Sequence, residues 1–418
     1  MSSRFGLTAE QERLAAEVRE VTARELRPLA EAGTPGRVNR HLIKTMGQQG
    51  LLRRLFPGAG VAAGAAAGAA GSQPGASGDQ HRGVDITTLC LLREALATEC
   101  TEAETALALQ GLGSYPVLQS GSPQQVRRWL PAVAAGEAVP AFALSEPGAG
   151  SDAAAISLTA EPDGDSWRLT GEKAWISNAP EADFYTVFAL TTAKTGGRGV
   201  SAFLVPADRA GLTGEHIDML SPHPIGTLVF DGVPVTSADL IGEPDHGFAV
   251  AMRTLEKFRP SVGAFGVGMA QAALEAALAH AESRIAFGAK LADQQAVAHL
   301  LAEMATRTEA ARLLVYSAAA ALDGQDATGP GGTGSVGEPS APGIPVAARS
   351  AMAKLFATET AQFVVDAAVQ IHGARALRRG HLLEHLYREV RAPRIYEGAT
   401  EIQRTIISRA LRRQRGAR

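Results

Sequence analysis

Apolar residues fall at helical spacing towards both ends of the chain and at strand-like spacing in its middle. Near the amino end, Leu14, Ala15, Val18 and Val21 recur at helical intervals behind Thr8-Ala-Glu-Gln11, which has the form of a capping box. Helices are predicted over 7–56 and resume at about 84–110. Ser122-Pro-Gln-Gln125 opens another, with Ser as cap and Pro at the first helical position. From 139 to 232 the segments shorten. Ile156–Ala160, Trp167–Thr170, Phe184–Ala189, Val200–Val205 and Leu228–Phe230 are rich in β-branched and aromatic residues and separated by turn formers. Pro162-Asp-Gly-Asp165 between two of them is a hairpin signal. An antiparallel β domain is predicted there. The helical period returns over 247–285, 292–323, 345–372 and 398–414. Such long Ala/Leu-rich runs suggest a bundle.

The expected fold is mainly α with a central antiparallel β domain. Its parts are an all-α domain at 1–138, a β-barrel-like domain at 139–246 and a helical bundle at 247–418. Two tracts rich in Gly with Ala, Pro or Ser, 57–83 and 324–343, read as flexible loops.

Composition changes this picture little. The chain has 418 residues, 45% hydrophobic and 20% charged, an ordinary globular balance. A net charge of -3 offers no field for a polyanion, so nucleic acid is not an expected partner. Cys90 and Cys100 are ten apart on what reads as one helix. About 15 Å then separates them, too far for a disulfide. They read as free thiols in a reducing compartment. The segment Met1–Gly6 lacks the apolar core of a secretory signal, and the Gly/Ala stretch from Gly58 is too weakly hydrophobic to span a bilayer. The expectation is a cytoplasmic protein without a membrane span.

Candidate chemistry lies in four strings. In Ala143-Leu-Ser-Glu-Pro-Gly-Ala-Gly-Ser-Asp152, Pro147 stops a strand, and Gly148 and Gly150 allow a turn that can present N–H groups and the Ser145 and Ser151 hydroxyls to one ligand. In Gly171-Glu-Lys-Ala-Trp-Ile-Ser-Asn178, Trp175 offers a flat apolar wall, with Ser177 on the same side of a strand. Arg284-Ile-Ala-Phe-Gly288 ends a long helix, and Arg284 suits either a pyrophosphate or a helix cap. Tyr396-Glu397-Gly398 places one carboxylate between a ring and a glycine. A glutamate in apolar surroundings has a raised pKa and can act as a base near neutral pH. Taken singly, these strings read equally as a surface turn, a core tryptophan, a helix cap and a solvated helix start. Two formal matches are set aside. Gly332–Gly337 fits a dinucleotide pattern but lacks the flanking strand and helix. His381-Leu-Leu-Glu-His385 fits an inverted zinc-protease pattern without a third ligand.

Together, the strings resemble the acyl-CoA dehydrogenase family over almost the whole chain. The likeness rests on Leu144–Asp152, Lys173–Asn178, Phe258-Arg-Pro260, Arg284–Gly288 with Gln295, Val369–Gly373, and Ile395–Gly398 with Glu401-Ile-Gln403, in the family's order. It implies the α-β-α architecture with a C-terminal four-helix bundle, bound FAD and an acyl-CoA substrate. An electron-transfer flavoprotein acceptor and a homotetramer, or else a homodimer, are also implied. By position, Phe142, Leu144, Ser145, Gly150 and Ser151 would line the flavin ring. Trp175, Ile176 and Ser177 would cover its other side. Arg284, Phe287, Gln294 and Gln295 would meet the FAD pyrophosphate and adenosine, across a subunit interface. Gln370, Gly373 and Ala374 would touch the adenosine, and Ala399 and Glu401 would complete the FAD contacts. Ser151, Glu256, Arg259, Tyr396, Gly398 and Arg409 would touch the acyl-CoA.

The implied reaction is α,β-dehydrogenation, with Glu397 removing the α-proton and the β-hydrogen leaving as hydride to flavin N5. Some branches place the base on the long helix just before an arginine of the Arg259 type. Phe258 stands there, and Glu256 lies about 200° round the helix from it. Departures from the family pattern are Ala374 for the second of two glycines and Ala399 for a common threonine. Ser221-Pro-His-Pro-Ile-Gly226 reads as a rigid loop without an assigned role. Three rival readings are a dehydrogenase of a carrier-protein-tethered acyl chain, a flavin acyl-CoA oxidase, and a binding protein without turnover.

Overall fold

The computed structural model describes residues 7–56, 85–192, 196–327 and 344–416. The tract 57–83, the motif match at 332–337 and all of the second tract beyond 327 therefore lie outside the described residues.

Helix α1, Ala9–Val21, begins with the expected capping box: the Thr8 hydroxyl accepts from the Gln11 N–H and the Gln11 side chain accepts from the Thr8 N–H. A π turn over Thr22–Leu26 leads into α2, Arg27–Glu31, and α3 spans Arg40–Gln48. Helix α4, Ile86–Glu99, and α5, Thr101–Ser120, are separate, because Cys100 adopts an extended backbone between them. The two buried cysteines thus do not share one continuous helix, although both are free thiols. Helix α6, Pro123–Ala134, carries the second capping box, on Ser122.

The middle segment forms seven strands: β1 (Pro140–Ala143), β2 (Thr159–Asp163), β3 (Ser166–Ser177), β4 (Phe184–Leu190), β5 (Val200–Pro206), β6 (Leu212–His216) and β7 (Ile225–Thr236). The sheet runs β1-β4-β2-β3-β7-β6, with β5 beside β4. β2 and β3 form the expected hairpin, with Gly164 at φ 60 in its turn. The sheet is mixed rather than wholly antiparallel: β4 pairs in parallel with both β1 and β2. Strand periodicity reports burial on each face, not the direction of the neighbour, so sequence pattern could not distinguish the two.

The bundle consists of α7 (Gly247–Ser283), α8 (Gln295–Ala327), α9 (Val346–His372) and α11 (Thr400–Gly416), with the short α10 (Leu382–Glu389) between the last two. Helix α8 continues through Gly324, so the first residues of the second Gly-rich tract are helical. Among the described helices α7 is long and apolar enough to cross a bilayer, yet 72% of its most apolar window is buried inside the molecule. That apolar surface faces α4, α8 and α9. The N-terminal helices are tied to the bundle by polar groups as well. Asp323 of α8 accepts from the Ile86 and Thr87 N–H groups at the start of α4. Arg312 and Tyr316 of α8 both bond Glu94.

Candidate active site

Glu397 sits in a turn between a 3-10 segment, Ala392–Arg394, and α11. Its φ is 49 and that of Gly398 is 90, a left-handed pair that non-glycine residues seldom adopt. Two buried side chains hold the turn. Lys354 Nζ, from α9, donates to Tyr396 O at 3.0 Å and to Gly398 O at 2.8 Å. Gln403 Nε2 donates to Glu397 O at 3.3 Å and to Gly398 O at 2.8 Å. Three successive carbonyls are thereby fixed, and with them the peptide planes that carry the Glu397 and Gly398 N–H groups. Gly398 is required sterically, since a Cβ there would lie 2.5 Å from Gln403 Nε2.

The residue Glu397 is partly exposed, but its Oε2 is enclosed without a hydrogen-bond partner. Burial pushes its carboxyl above the usual carboxylate range, against the pull of Arg93, Lys354 and Arg259. Arg259 also keeps a buried Nε without a partner. Burial lowers the Lys354 ammonium to about 8. Arg259 and Tyr396 thus accompany Glu397, whereas Glu256 acts on Arg259. Phe258 is turned into the core against Tyr115, with ring centroids 5.7 Å apart.

The two middle-domain strings lie side by side, since the Ala174 N–H donates to Ser145 O at 3.0 Å. The turn after Ser145 is built on Glu146, whose carboxylate accepts from Ser157 N, Ser157 Oγ and Leu158 N. Buried Lys173 donates to Glu146 at 2.8 Å and to Leu144 O at 3.0 Å. Gly148 and Gly150 have no atom within 4 Å of where a Cβ would stand, so the turn is open on its outer side. Trp175 is 54% exposed, at φ 62. A register shift between Lys173 and Ile176 breaks the strand alternation there, so Trp175 and Ser177 are not placed on one side by simple alternation. Ile176 is buried, and Ser177 Oγ pairs with His223 Nε2 at 2.8 Å. Burial lowers His223 to about 4, so the ring is neutral at ordinary pH.

Family models for the acyl-CoA dehydrogenase N-terminal, middle and C-terminal domains match residues 8–137, 141–233 and 245–412. The chain belongs to the acyl-CoA dehydrogenase family. The mitochondrial short-chain specific acyl-CoA dehydrogenase of Bos taurus is 38% identical over 330 residues, 78% of this chain and 76% of the relative. Butyryl-CoA dehydrogenase from Megasphaera elsdenii superposes with a TM-score of 0.83 at 28% identity, over 97% of this chain and 99% of that one. A chain in a structure described as an electron transferring flavoprotein of Acidaminococcus fermentans matches equally, with a TM-score of 0.83 at 31% identity and the same coverage of both chains.

Acyl-CoA dehydrogenases are FAD-dependent oxidoreductases. The residues present here fit that cofactor. The exposed indole of Trp175 follows Ala174, which bonds Ser145 just ahead of the open glycine turn, and Phe142 lies on β1 three residues before Ser145. Arg284 ends α7, and a two-residue hairpin, β8 (Ile285–Ala286) with β9 (Ala289–Lys290), follows it. Phe287 is at the tip, 97% exposed. Gln294 and Gln295 lead into α8. Gln370, Gly373 and Ala374 are exposed at the end of α9. They lie near the Arg284 end of α7, because His372 stacks on His280 with centroids 4.2 Å apart. Ala399 and Glu401 flank Thr400, which bonds Glu359 of α9. Arg409 lies apart from Glu397's turn, further along α11. It lines a cleft of about 510 Å³ with Ala348, Ile406 and Arg413. The residues of the zinc-like pattern are otherwise engaged: His381 caps α10, Glu384 pairs with Arg388, and His385 meets Thr101 Oγ1 at 2.6 Å.

Sequence reasoning gave no role to Lys354 and Gln403, which hold the Glu397 turn, to the buried Arg93–Glu104 pair, or to Glu146 with Lys173 as the brace of the glycine turn. A signal existed for Arg93 and Lys354. Each is a charged residue among apolar neighbours in a helical run, Leu91-Leu92-Arg93 and Ala353-Lys354-Leu355. Long cationic side chains usually reach solvent from such positions, which hides the exceptions.

Proposed function

We propose that the protein oxidises an acyl-CoA thioester to the trans-2-enoyl-CoA, with Glu397 as the base. The observation that carries this reading is an enclosed, unpartnered Oε2 with a raised pKa on a turn pinned by Lys354 and Gln403. A carboxylate of that kind takes a weakly acidic α-proton more readily than a solvated one. Bound FAD supplies the two-electron acceptor for the β-hydrogen, which leaves as hydride. Phe142, Leu144, Ser145, Gly150, Ser151, Trp175, Ile176 and Ser177 would hold its ring. Arg284, Phe287, Gln294, Gln295, Gln370, Gly373, Ala374, Ala399 and Glu401 would hold the remainder. The fixed N–H of Glu397 would donate to the thioester carbonyl as enolate charge develops there. Arg259, Tyr396, Gly398 and Arg409 would bind the thioester and its CoA. Phe287 at the tip of its hairpin favours a second copy of the chain as part of the FAD site, as in a tetramer. The likeness to the Acidaminococcus chain favours an electron-transfer flavoprotein as the next carrier.

Anaerobic titration with a panel of acyl-CoAs, followed by flavin bleaching, tests the reading. One thioester should bleach the flavin fully. Glu397→Gln should retain yellow bound FAD and lose about 10²-fold or more in rate. Near-normal turnover in that variant would assign the base elsewhere.

A further inference from the structure

The Ser221-Pro-His-Pro segment between β6 and β7 takes no part in the proposed reaction, yet it meets the candidate cofactor wall. His223 Nε2 lies 2.8 Å from Ser177 Oγ at the end of β3. The backbone repeats the link. The Asn178 N–H donates to Pro224 O at 2.8 Å, and Ser177 pairs with Ile225 across the β3–β7 ladder. A proline stands on each side of His223, and the residue before a proline avoids the helical region, so His223 has little backbone freedom. Its N–H donates to Ser221 O at 2.8 Å. The near end of the segment is tied to the bundle. Arg388 of α10 donates to Leu220 O at 3.3 Å and pairs with Glu384. The imidazole is thus held against one hydroxyl by a loop anchored at both ends.

A serine hydroxyl on its own rotates to suit whatever meets it. Beside His223 it does not. The ring is neutral at ordinary pH, so Nε2 either accepts a proton from the hydroxyl or donates one to it. If Nε2 accepts, the Ser177 proton is engaged by the ring, and Oγ offers lone pairs alone to a ligand. If Nε2 donates, one lone pair is engaged, and the Ser177 proton is left for the other side. In both cases Oγ keeps one defined hydrogen-bonding character. Reduction of a flavin turns an acceptor nitrogen of its ring into an N–H donor, so a hydroxyl of defined character distinguishes the two forms. We propose that His223 is a positioning residue: it orients the Ser177 hydroxyl and so sets the relative affinity of the site for oxidised and reduced flavin. This rests on Ser177 facing the flavin, as in the proposed function.

The test is the reduction potential of the flavin in the full-length holoprotein, read by anaerobic equilibration with a redox dye. Ser177→Ala sets the reference displacement. His223→Phe keeps a ring and removes the bond. It should displace the potential in the same direction and by no more, about 3- to 10-fold in relative affinity, which is about 14–30 mV for a two-electron couple. His223→Gln can return an amide to the Nε2 position and should recover the wild-type potential. In His223→Phe/Ser177→Ala the displacement should equal that of Ser177→Ala alone, because the ring acts only through the hydroxyl. An unmoved potential in His223→Phe, or additive displacements in the double variant, would overturn the proposal. If His223→Phe does not fold, His223→Asn replaces it: its shorter amide falls short of Ser177, and a potential equal to that of His223→Gln would overturn the proposal. No displacement in Ser177→Ala would overturn both the placement of Ser177 at the flavin and the role of His223. The expected displacements in a protein that no acyl-CoA bleaches would uphold the role of His223 and reject the proposed reaction alone.

Discussion

Lys354→Met separates a structural role for the buried lysine from control of the base. The substitution keeps length and apolar contact but removes the two donors to Tyr396 O and Gly398 O. Hydrogen bonds from a charged donor contribute roughly 1.5–3 kcal/mol each, so about 3–6 kcal/mol of gross interaction is lost. Against that, the ammonium is held in a dry site. Its fall from 10.5 to about 8 corresponds to about 3 kcal/mol that methionine does not incur. The net loss of stability is then roughly 0–3 kcal/mol, readable as an unchanged or lower urea midpoint. The effect on rate should be larger. Glu397 occupies φ 49, a conformation costing about 1–3 kcal/mol that the lysine's bonds help to impose. Released, the turn can relax and displace the carboxylate. A shift of about 1 Å in a reacting group costs on the order of 10²-fold. Urea unfolding and the anaerobic flavin-reduction rate, with the acyl-CoA that bleaches the flavin most fully in the panel, should be measured on the same preparation. A midpoint within the expected range with a reduction rate within twofold of wild type would refute the argument that Lys354 positions the base.

Three further outcomes are expected. Burial raises the Glu389 carboxyl to about 8 from 4.5, so the folded state binds its proton more tightly than the unfolded chain does. Stability from this group is complete below about pH 4.5 and declines as pH rises towards 8. Glu389→Gln should remove that decline and leave the variant about 5 kcal/mol more stable above pH 8, with no gain in acid; a constant difference across the range of urea midpoints would contradict it. Gly398→Ala places a Cβ 2.5 Å from Gln403 Nε2 at a φ of 90, and should lose about 1–3 kcal/mol of stability by denaturation. Trp175→Ala removes an exposed ring, so the urea midpoint should move by less than about 1 kcal/mol while FAD is lost on gel filtration, measured as flavin absorbance per protein. Full flavin retention would remove Trp175 from the cofactor wall.

The helices were legible because their apolar stripes are long. The α9 helix, read at 345–372, is found at Val346–His372, and capping boxes marked α1 and α6 correctly. What the periodicity missed is physical in each case. Cys100 breaks a helical run through its backbone conformation, without any proline or glycine to signal it. Trp175 sits at a bulge, where the rule of alternation does not apply. The direction of β1 beside β4 depends on a neighbour 44 residues away, Pro140 opposite Phe184. Glu397 and Trp175 could be named as candidates because adjacent residues, a ring and a glycine in one case and a strand in the other, already suggest their chemistry. Arg93, Glu104 and Lys354 were not, because their significance lies in partners brought together from four different helices.

The two halves of the site have opposite mechanical characters, and the difference follows from their partners. Glu397 is on a turn whose Tyr396, Glu397 and Gly398 carbonyls are all bonded by Lys354 and Gln403, so its geometry is determined before any ligand arrives. The exposed Trp175 and Phe287 make no such commitment, since both present apolar rings to solvent, at 54% and 97% exposure. Exposed aromatic area of that kind is costly unless covered. A planar cofactor and a second copy of the chain would each cover part of it. Cofactor binding and assembly should therefore support one another, because each buries rings that the other leaves in water. If copies of the chain associate, flavin removal should then weaken that association, and sedimentation of the apoprotein against the holoprotein at equal concentration measures it. An unchanged sedimentation coefficient would mean that the two surfaces are covered independently.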